Sequence, residues 1–142
     1  MKILRVITII LHFVVGLFGL MGGSVAVLSP DQPFGISPEV LKNGPFTNFL
    51  IPGLTLFIVI GLGHILTAVT ILRKTRYYPY IQGILAALTL GWILIQCWVM
   101  EEINGLHITI FALGAVQGIN ALMVIYRERM FPFTLKILRN VK

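Results

Sequence analysis

The sequence predicts an all-α integral membrane protein with four transmembrane helices in an antiparallel bundle. Of its 142 residues, 57% are hydrophobic and 11% are charged, whereas roughly 25% of a typical soluble domain is charged. The chain contains four apolar runs of roughly 20 residues, the length that crosses a bilayer. Its basic and acidic residues also fall in alternate connecting segments. We therefore expect a single membrane domain over residues 1–142.

The four apolar runs define the predicted spans. Each must be helical, because in lipid only a helix pairs the backbone amides within its own segment. The first run has an alternative interpretation as a signal peptide cleaved near Ser24–Ala26, but it is longer than a usual signal-peptide core. The predicted spans are residues 6–28, 46–72, 80–100 and 106–126.

The predicted outer loop, residues 29–45, contains four prolines and two glycines, residues that favour turns. Within it, Ser37-Pro38-Glu39 places a capping residue, a proline and an acid in the order that starts a helix, so a short interfacial helix is expected. In the second span, Pro52 lacks an amide hydrogen and is expected to kink the helix near its outer end.

The positions of the charges predict the orientation. Ten of the eleven Lys and Arg residues lie in the N-terminus, the middle loop 73–79 and the tail 127–142, while four of the five acids lie in the other two loops. Cytoplasmic segments of membrane proteins are enriched in Lys and Arg. Both termini are therefore expected in the cytoplasm, with the protein in the plasma membrane.

The tail and the net charge bear on partners. Phe133, Ile137, Leu138 and Val141 alternate with basic residues, which is typical of a short helix on an anionic membrane surface, and a disordered basic tail is the alternative. The net charge of +6 comes from helix ends rather than from a basic surface interleaved with aromatic residues. Membrane lipids, and not nucleic acid, are the expected partners, together with a homo-oligomer or a larger membrane complex.

Small and polar residues at helical spacing predict which side of each span faces the bundle, because membrane helices pack through close backbone approach. Every span has such a row. The rows are Thr8, His12, Gly16, Gly19, Gly23 and Ala26 in the first span, Phe57, Gly61, His64 and Thr67 or Ala68 in the second, Gln82, Ala86, Thr89, Ile93, Gln96 and Met100 in the third, and His107, Gly114, Gln117, Gly118 and Ala121 in the fourth.

A candidate ligand-binding polar core lies in the inner half of the bundle. His12, His64 and Asn120 are seven to nine residues from the arginine at the cytoplasmic end of their own span. This places them roughly 10 to 14 Å from that end. Gln117 and Gln96 complete the set. Ionisable groups within a bilayer are candidate functional groups, although hydrogen bonding between neutral side chains is the favoured role of this set.

Two histidines at matched depth on different helices also suggest bis-histidine ligation of haem b. The chain has no second histidine pair for electron transfer across the membrane, so no cofactor is the leading expectation. The single cysteine, Cys97, excludes an internal disulfide and a CxxC pair, and its apolar neighbours favour a buried thiol.

A second candidate cluster lies at the outer end and contains Asn48, Glu101, Glu102 and His107. It would suit a cation or a proton. Adjacent carboxylates on a helix point in different directions, however, so a solvated loop is favoured over a metal site.

The sequence gives little support for catalysis, since phosphate-binding glycine loops, HExxH and a serine with a histidine at fixed spacing are all absent. The leading hypothesis is a non-enzymatic membrane module that binds a lipid-like or small amphiphilic ligand, or that packs as an accessory subunit of a membrane complex. The alternatives are an oligomeric transporter or channel for protons, ions or a small solute, and the haem-binding redox protein.

The block Gly44-Pro45-Phe46-Thr47-Asn48-Phe49-Leu50-Ile51-Pro52-Gly53-Leu54, followed by Gly61-Leu62-Gly63-His64, resembles small uncharacterised four-span membrane proteins of bacteria. The resemblance covers most of the chain in layout and is specific in this block. It implies a bacterial cytoplasmic membrane and transfers no activity.

Overall fold

The computed structural model describes residues 2–133, and over these residues the protein is all-helical. Four helices are long and apolar enough to cross a membrane, which confirms the fold class at that level. The predicted surface helix of the tail lies outside the described residues. The helices are α1 (Lys2–Leu28), α2 (Leu50–Leu72), α3 (Tyr78–Met100) and α4 (Gly105–Arg127).

Helix α2 begins at Leu50, four residues later than the predicted start at residue 46. The Asn48 side-chain oxygen accepts a hydrogen bond from the Leu50 amide at 3.1 Å, and the Gly53 amide makes a helical bond to the Phe49 carbonyl at 2.8 Å. Pro52 therefore lies in the first turn, where amides have no partner within the helix. The proline removes no helical bond there, and the expectation of a kink at this residue was wrong.

The irregular part of α2 is instead a π-helical segment, Leu56–Leu62. The Gly63 amide at its end donates to the carbonyl of Ile58, five residues earlier. A π segment inserts a residue into the helical repeat and rotates the turns after it about the helix axis. This one lies where α2 contacts α1.

The loop between α1 and α2 contains the short helix expected at Ser37. It is a single 3₁₀ turn, Pro38–Val40, and the Ser37 hydroxyl accepts a hydrogen bond from the Glu39 amide at 3.3 Å. A proline at the first position and a capping serine before it account for this start.

The same loop covers the end of α3. The Asn43 amide donates to the Val99 carbonyl at 3.2 Å, and its side-chain nitrogen donates to the Trp98 carbonyl at 3.3 Å. The last carbonyls of a helix have no partner within it. Asn43 supplies partners from outside and thereby holds the loop against the bundle.

Contacts among helix ends define what we call the basic end of the bundle, formed by the starts of α1 and α3 and the end of α4. The Arg5 guanidinium lies 5.8 Å from the centre of the Tyr78 ring. The Tyr80 hydroxyl donates to the Phe131 carbonyl at 2.7 Å. The basic residues at these positions are thus gathered on one side of the molecule.

Helices α1 and α2 approach each other through glycines. A Cβ atom added to Gly19 would lie 2.7 Å from the Gly61 nitrogen, and one added to Gly23 would lie 2.5 Å from the Phe57 nitrogen. Only a residue without a side chain allows this approach. The predicted inward row of α1 is confirmed, and its buried residues are Thr8, His12, Val15, Gly16, Gly19, Gly23 and Ala26.

Within residues 2–133, buried apolar side chains form two separate clusters. One contains Val15, Ile60 and Trp92, with Leu56, Val59 and Leu113 packed against it. The other contains Ala26, Leu41, Phe49 and Val99, with Val40, Phe46 and Met100 packed against it.

The glycine contact makes a test of the α1–α2 packing possible. Gly23→Ala should destabilise the bundle by about 1–3 kcal/mol, because the atoms that the new methyl group meets are backbone atoms that cannot rotate away. Gly91→Ala is the matched control, since within residues 2–133 its added Cβ would meet no atom within 4 Å apart from the neighbouring backbone of its own helix. Unfolding of the purified variants in mixed detergent micelles measures the difference. Equal stability of the two variants would contradict the close approach.

Candidate functional site

The centre of the bundle contains a pair of hydrogen-bonded histidines from α1 and α2. His12 Nδ1 lies 2.8 Å from His64 Nδ1, and neither side chain is exposed. His64 Nε2 lies 3.0 Å from the Thr89 hydroxyl of α3. Three helices are therefore joined by one chain of polar atoms.

The partners of Thr89 determine where the hydrogens lie. The Thr89 hydroxyl donates to the Leu85 carbonyl at 2.9 Å, so it accepts from His64 Nε2. With Nε2 protonated, His64 Nδ1 is the acceptor of a bond that His12 Nδ1 donates. The opposite direction would give up the bond to Leu85 and leave an unpaired N–H on His12, and buried unpaired donors are rare. His12 Nε2 is therefore a bare nitrogen without a partner in the described residues.

A second polar layer lies one helical turn nearer the basic end and joins α1 to α4. The Thr8 hydroxyl donates to the Leu4 carbonyl at 2.8 Å and accepts from the Asn120 side-chain nitrogen. Because the only hydroxyl hydrogen of Thr8 is used, Asn120 must present its NH2 group to Thr8. The Asn120 side-chain oxygen is left free.

The orientation of Gln82 on α3 is determined in the same way. Its side-chain nitrogen donates to the Gln117 backbone carbonyl at 2.8 Å, and a carbonyl can only accept. The Gln82 side-chain oxygen is therefore the free atom, in a residue with no exposed surface. The hydrogen bonds thus assign the nitrogen and the oxygen of both side-chain amides.

Helix geometry places these residues in two successive layers. His12 follows Thr8 by one turn of α1, about 6 Å, and Gln117 precedes Asn120 by about 4.5 Å along α4. We call the combined set the polar core. Its members, contributed by all four helices, are Thr8, His12, His64, Thr67, Gln82, Thr89, Gln117 and Asn120, all of them buried.

The polar core contains more hydrogen-bonding atoms than the described residues can pair. Five of its buried side-chain nitrogens and oxygens have no partner there, and a sixth such atom, Trp92 Nε1, lies outside this set. An unpaired buried polar group costs about 1–3 kcal/mol, so such a concentration marks the polar core as a candidate binding site. The atoms are His12 Nε2, Gln82 Oε1, Trp92 Nε1, Asn120 Oδ1 and both side-chain amide atoms of Gln117.

A cavity of about 120 Å³ extends from the basic end to the layer of the polar core that contains Thr8 and Asn120. Thr8, Gln82 and Asn120 lie at its inner part, and exposed Lys2 and Glu128 lie at its rim. The remaining lining residues are Leu4, Arg5, Ile71, Tyr78 and Val124.

Beyond the histidines, the bundle is closed by apolar side chains. Val15 follows His12 on α1 and packs with Ile60 and Trp92. Val15 and Ile60 are at most 2% exposed. The cavity and the polar core therefore lie on the basic side of this apolar layer.

The structure brings together four of the five residues predicted for the polar core, namely His12, His64, Gln117 and Asn120. The fifth, Gln96, is half-buried and lines a crevice with Phe46 and Phe49 on the other side of the apolar layer. Gln96 shares a helical face with Thr89, but it lies about 10 Å further along α3, seven residues at 1.5 Å each.

The predicted outer cluster is divided among separate partners. Glu101 accepts a hydrogen bond from the Asn43 side chain at 2.7 Å and lies 3.9 Å from the Lys42 ammonium, with both charged side chains more than half exposed. Asn48 bonds to Asp31 at 3.4 Å. Glu102 is exposed, and within residues 2–133 no group of three His, Cys, Asp or Glu side chains could hold a metal ion.

His107 has a structural role at the start of α4. The Asn104 side chain accepts from the amides of Leu106 and His107, and His107 Nδ1 accepts from the Asn104 amide at 3.4 Å. This reciprocal arrangement is a capping box. It engages the histidine ring with Asn104 at the helix start.

Sequence reasoning placed Thr8, Gln82 and Thr89 on inward faces but did not include them in the site. The sequence signal for them was helical spacing. Thr8 lies one turn from His12, and Thr89 and Gln82 follow each other at two-turn spacing on the face that contains Gln96. A hydroxyl or amide on the same helical face as a buried histidine is a natural bonding partner. That rule would have selected Thr8 beside His12, whereas α3 contains no histidine, so for Thr89 and Gln82 the available signal was the face that they share with Gln96.

The histidine pair as arranged does not fit bis-histidine ligation of haem. Iron bound to two axial nitrogens at about 2 Å each separates them by about 4 Å. The nearest ring nitrogens of His12 and His64 are 2.8 Å apart and bond to each other.

Compared with known proteins, the chain matches no protein-family model, no curated protein and no solved structure. Function is therefore inferred from the geometry of the polar core and its cavity.

The direction of the histidine chain gives a spectroscopic prediction. In 15N-labelled protein at pH 7, His12 should be protonated at Nδ1 and bare at Nε2, and His64 should be bare at Nδ1 and protonated at Nε2. Solid-state NMR should detect a coupling between the two Nδ1 atoms through the shared hydrogen, with His12→Gln and His64→Gln variants assigning the signals. Protonation of His64 at Nδ1 would reverse the chain and refute this assignment.

Proposed function

We propose that this protein is a non-enzymatic multi-pass membrane module that binds the polar head of a small amphiphile in the cavity at its basic end. One observation carries the proposal: two buried amide oxygens without partners, Gln82 Oε1 and Asn120 Oδ1, belong to residues that line a cavity with cations at its rim.

The free oxygens favour a bound ligand or water over an empty cavity. Each would cost about 1–3 kcal/mol if it stayed unpaired in a dry site. The hydrogen bonds of Gln82 and Asn120 to Gln117 and Thr8 hold both oxygens in place before a ligand arrives. Such preorganisation lowers the entropy cost of binding.

The walls of the cavity favour an amphiphile over a wholly polar ligand. Leu4, Ile71 and Val124 line it beside the polar residues. Leu4 is also exposed at the outer surface, next to the highly exposed Ile3. A head bound at Gln82 could therefore continue into an apolar tail along the outside of α1.

Charge placement supports the orientation within this proposal. The basic end would face the cytoplasm, with both termini on that side, because Lys and Arg are retained there. The bacterial cytoplasmic membrane remains the proposed location, as the resemblance of the block from Gly44 to Leu54 implies.

Transport is the weaker alternative. A solute that entered at the basic end would meet the apolar layer of Val15, Ile60 and Trp92 above the histidines. This layer would block a pathway within one chain. A transporter would therefore have to form its pathway between the chains of an oligomer. Packing as an accessory subunit is compatible with amphiphile binding, because the outer surfaces of all four helices carry exposed apolar side chains.

Two methionine substitutions on α3 test the cavity. Gln82→Met keeps the side-chain length but removes the free oxygen and the bond to Gln117, so the variant should lose an amphiphile that copurifies with the protein. Gln96→Met is the matched control, because Gln96 lies outside the cavity. Native mass spectrometry of protein released from gentle detergent measures the bound fraction.

We expect the bound fraction to fall about tenfold or more for Gln82→Met, as for the loss of a hydrogen-bonded contact of about 1.4 kcal/mol. Gln96→Met should match the parent protein. Equal occupancy in the two variants, or a parent protein without any bound amphiphile, would refute the proposed function.

Cysteine labelling tests the orientation. In a Cys97→Ala background, Lys74→Cys should react with an impermeant maleimide only after the cells are opened, because Lys74 lies in the basic loop. Glu102→Cys, on the connection between α3 and α4, should react in intact cells. Both residues are exposed in the structure. Labelling of Lys74→Cys in intact cells would place the basic end outside.

A further inference from the structure

We infer that the amphiphile has an anionic head that ends in hydroxyl groups, of the phosphoglycerol type. This inference rests on the proposed function and adds the chemistry of the ligand. It is based on three properties of the cavity: the hydrogen-bond donors that its inner part requires, the charge that its rim attracts, and its volume.

The inner part of the cavity requires a hydrogen-bond donor. Gln82 Oε1 and Asn120 Oδ1 can only accept, and their orientations are determined by Gln117 and Thr8. A choline head has no N–H or O–H hydrogens to offer these oxygens. The head must therefore carry O–H or N–H groups.

The donor should also be uncharged. Among the inner lining residues Thr8, Gln82 and Asn120 there is no acid to balance a buried ammonium. Burying a charge without a partner costs far more than burying a hydroxyl that is hydrogen-bonded. Hydroxyl groups therefore fit better than the ammonium of an ethanolamine head.

The rim favours an anion. Lys2 and Arg5 contribute two positive charges and Glu128 contributes one negative charge, which leaves a net charge of +1 among these three. Arg5 is half-buried, with its guanidinium near the Tyr78 ring, so its charge is held at the opening. A phosphate at the rim could pair with Lys2 and Arg5 while the rest of the head reaches inward.

The volume limits the size of the head. A cavity of about 120 Å³ is small beside the roughly 300–1,000 Å³ of a typical small-molecule site. A compact three-carbon polyol suits a cavity of this size better than a sugar ring with its own hydroxyls. The phosphate then remains at the rim, between the polyol and the apolar tail.

The experiment measures binding of five probes to the delipidated full-length protein in detergent, by native mass spectrometry and by the shift in thermal unfolding. Four are lipids with the same dioleoyl tails: phosphatidylglycerol, phosphatidic acid, phosphatidylethanolamine and phosphatidylcholine. The fifth is water-soluble glycerol 3-phosphate, which has the head without the tails. Arg5→Gln removes a rim cation, and Arg129→Gln is its control, because Arg129 is exposed and does not line the cavity.

Phosphatidylglycerol should bind most tightly, and phosphatidic acid should bind about tenfold more weakly, since it lacks the polyol. The ethanolamine and choline lipids should bind more weakly than phosphatidylglycerol. Arg5→Gln should reduce phosphatidylglycerol binding about tenfold, and Arg129→Gln should leave it unchanged.

Other outcomes overturn different parts of the inference. Equal binding of phosphatidic acid or of the ethanolamine lipid would overturn hydroxyl recognition while amphiphile binding stands. Equal binding of all four lipids would overturn selection by the head as a whole. Glycerol 3-phosphate binding as tightly as the lipid would support the head chemistry but overturn the amphiphile. Failure of every probe to bind would overturn the inference and count against the proposed function, which the native lipid measurement with Gln82→Met tests separately.

Discussion

Hydrogen bonding of buried polar side chains among apolar helices is the constraint on which the rest of this structure depends. Away from water, such a side chain must find its partner on a neighbouring helix or bind something else. His12, His64 and Thr89 join α1, α2 and α3 in this way, while Thr8 and Asn120 join α1 to α4. These bonds set the register of all four helices.

The close contact of α1 with α2 makes the histidine bond possible. Gly19 and Gly23 bring the two backbones together because they have no side chains. The π segment Leu56–Leu62 lies in the same contact, immediately before the turn that carries His64. Irregular helical turns of this kind often occur at functional sites, and here the segment determines the direction in which the histidine faces.

The two ends of the bundle differ in how they are closed. At one end, the loop residue Asn43 bonds to the last carbonyls of α3, and apolar residues around Leu41 and Phe49 fill the space beneath. At the basic end, a cavity lies between the helices and reaches Gln82 and Asn120. The binding proposal is therefore specific to one end of the molecule, and the apolar layer at Trp92 separates it from the other.

The apolar runs and the inward rows could be read from the residues alone, because hydrophobic length and helical spacing are local properties. This is why four helices, the buried row of α1 and the inward positions of His12, His64, Gln117 and Asn120 were predictable. The start of α2 was harder to predict. It is set by the hydrogen bond between the Asn48 side chain and the Leu50 amide, and this bond depends on how the preceding loop packs.

Only the tertiary structure decided which polar groups meet. Sequence spacing gives depth along a helix but not the rotation and axial shift between helices. The structure places Gln82 in the polar core, while Gln96, about 10 Å further along α3 than Thr89, lines a separate crevice. The outer residues were divided in the same way, with Glu101 drawn to Asn43 and His107 to the cap at Asn104. The sequence by itself determined that these helices are apolar and which faces pack, because each is a property of one segment. The hydrogen-bonded histidines and the cavity required the structure, because hydrogen bonds between helices depend on distances that no single segment contains.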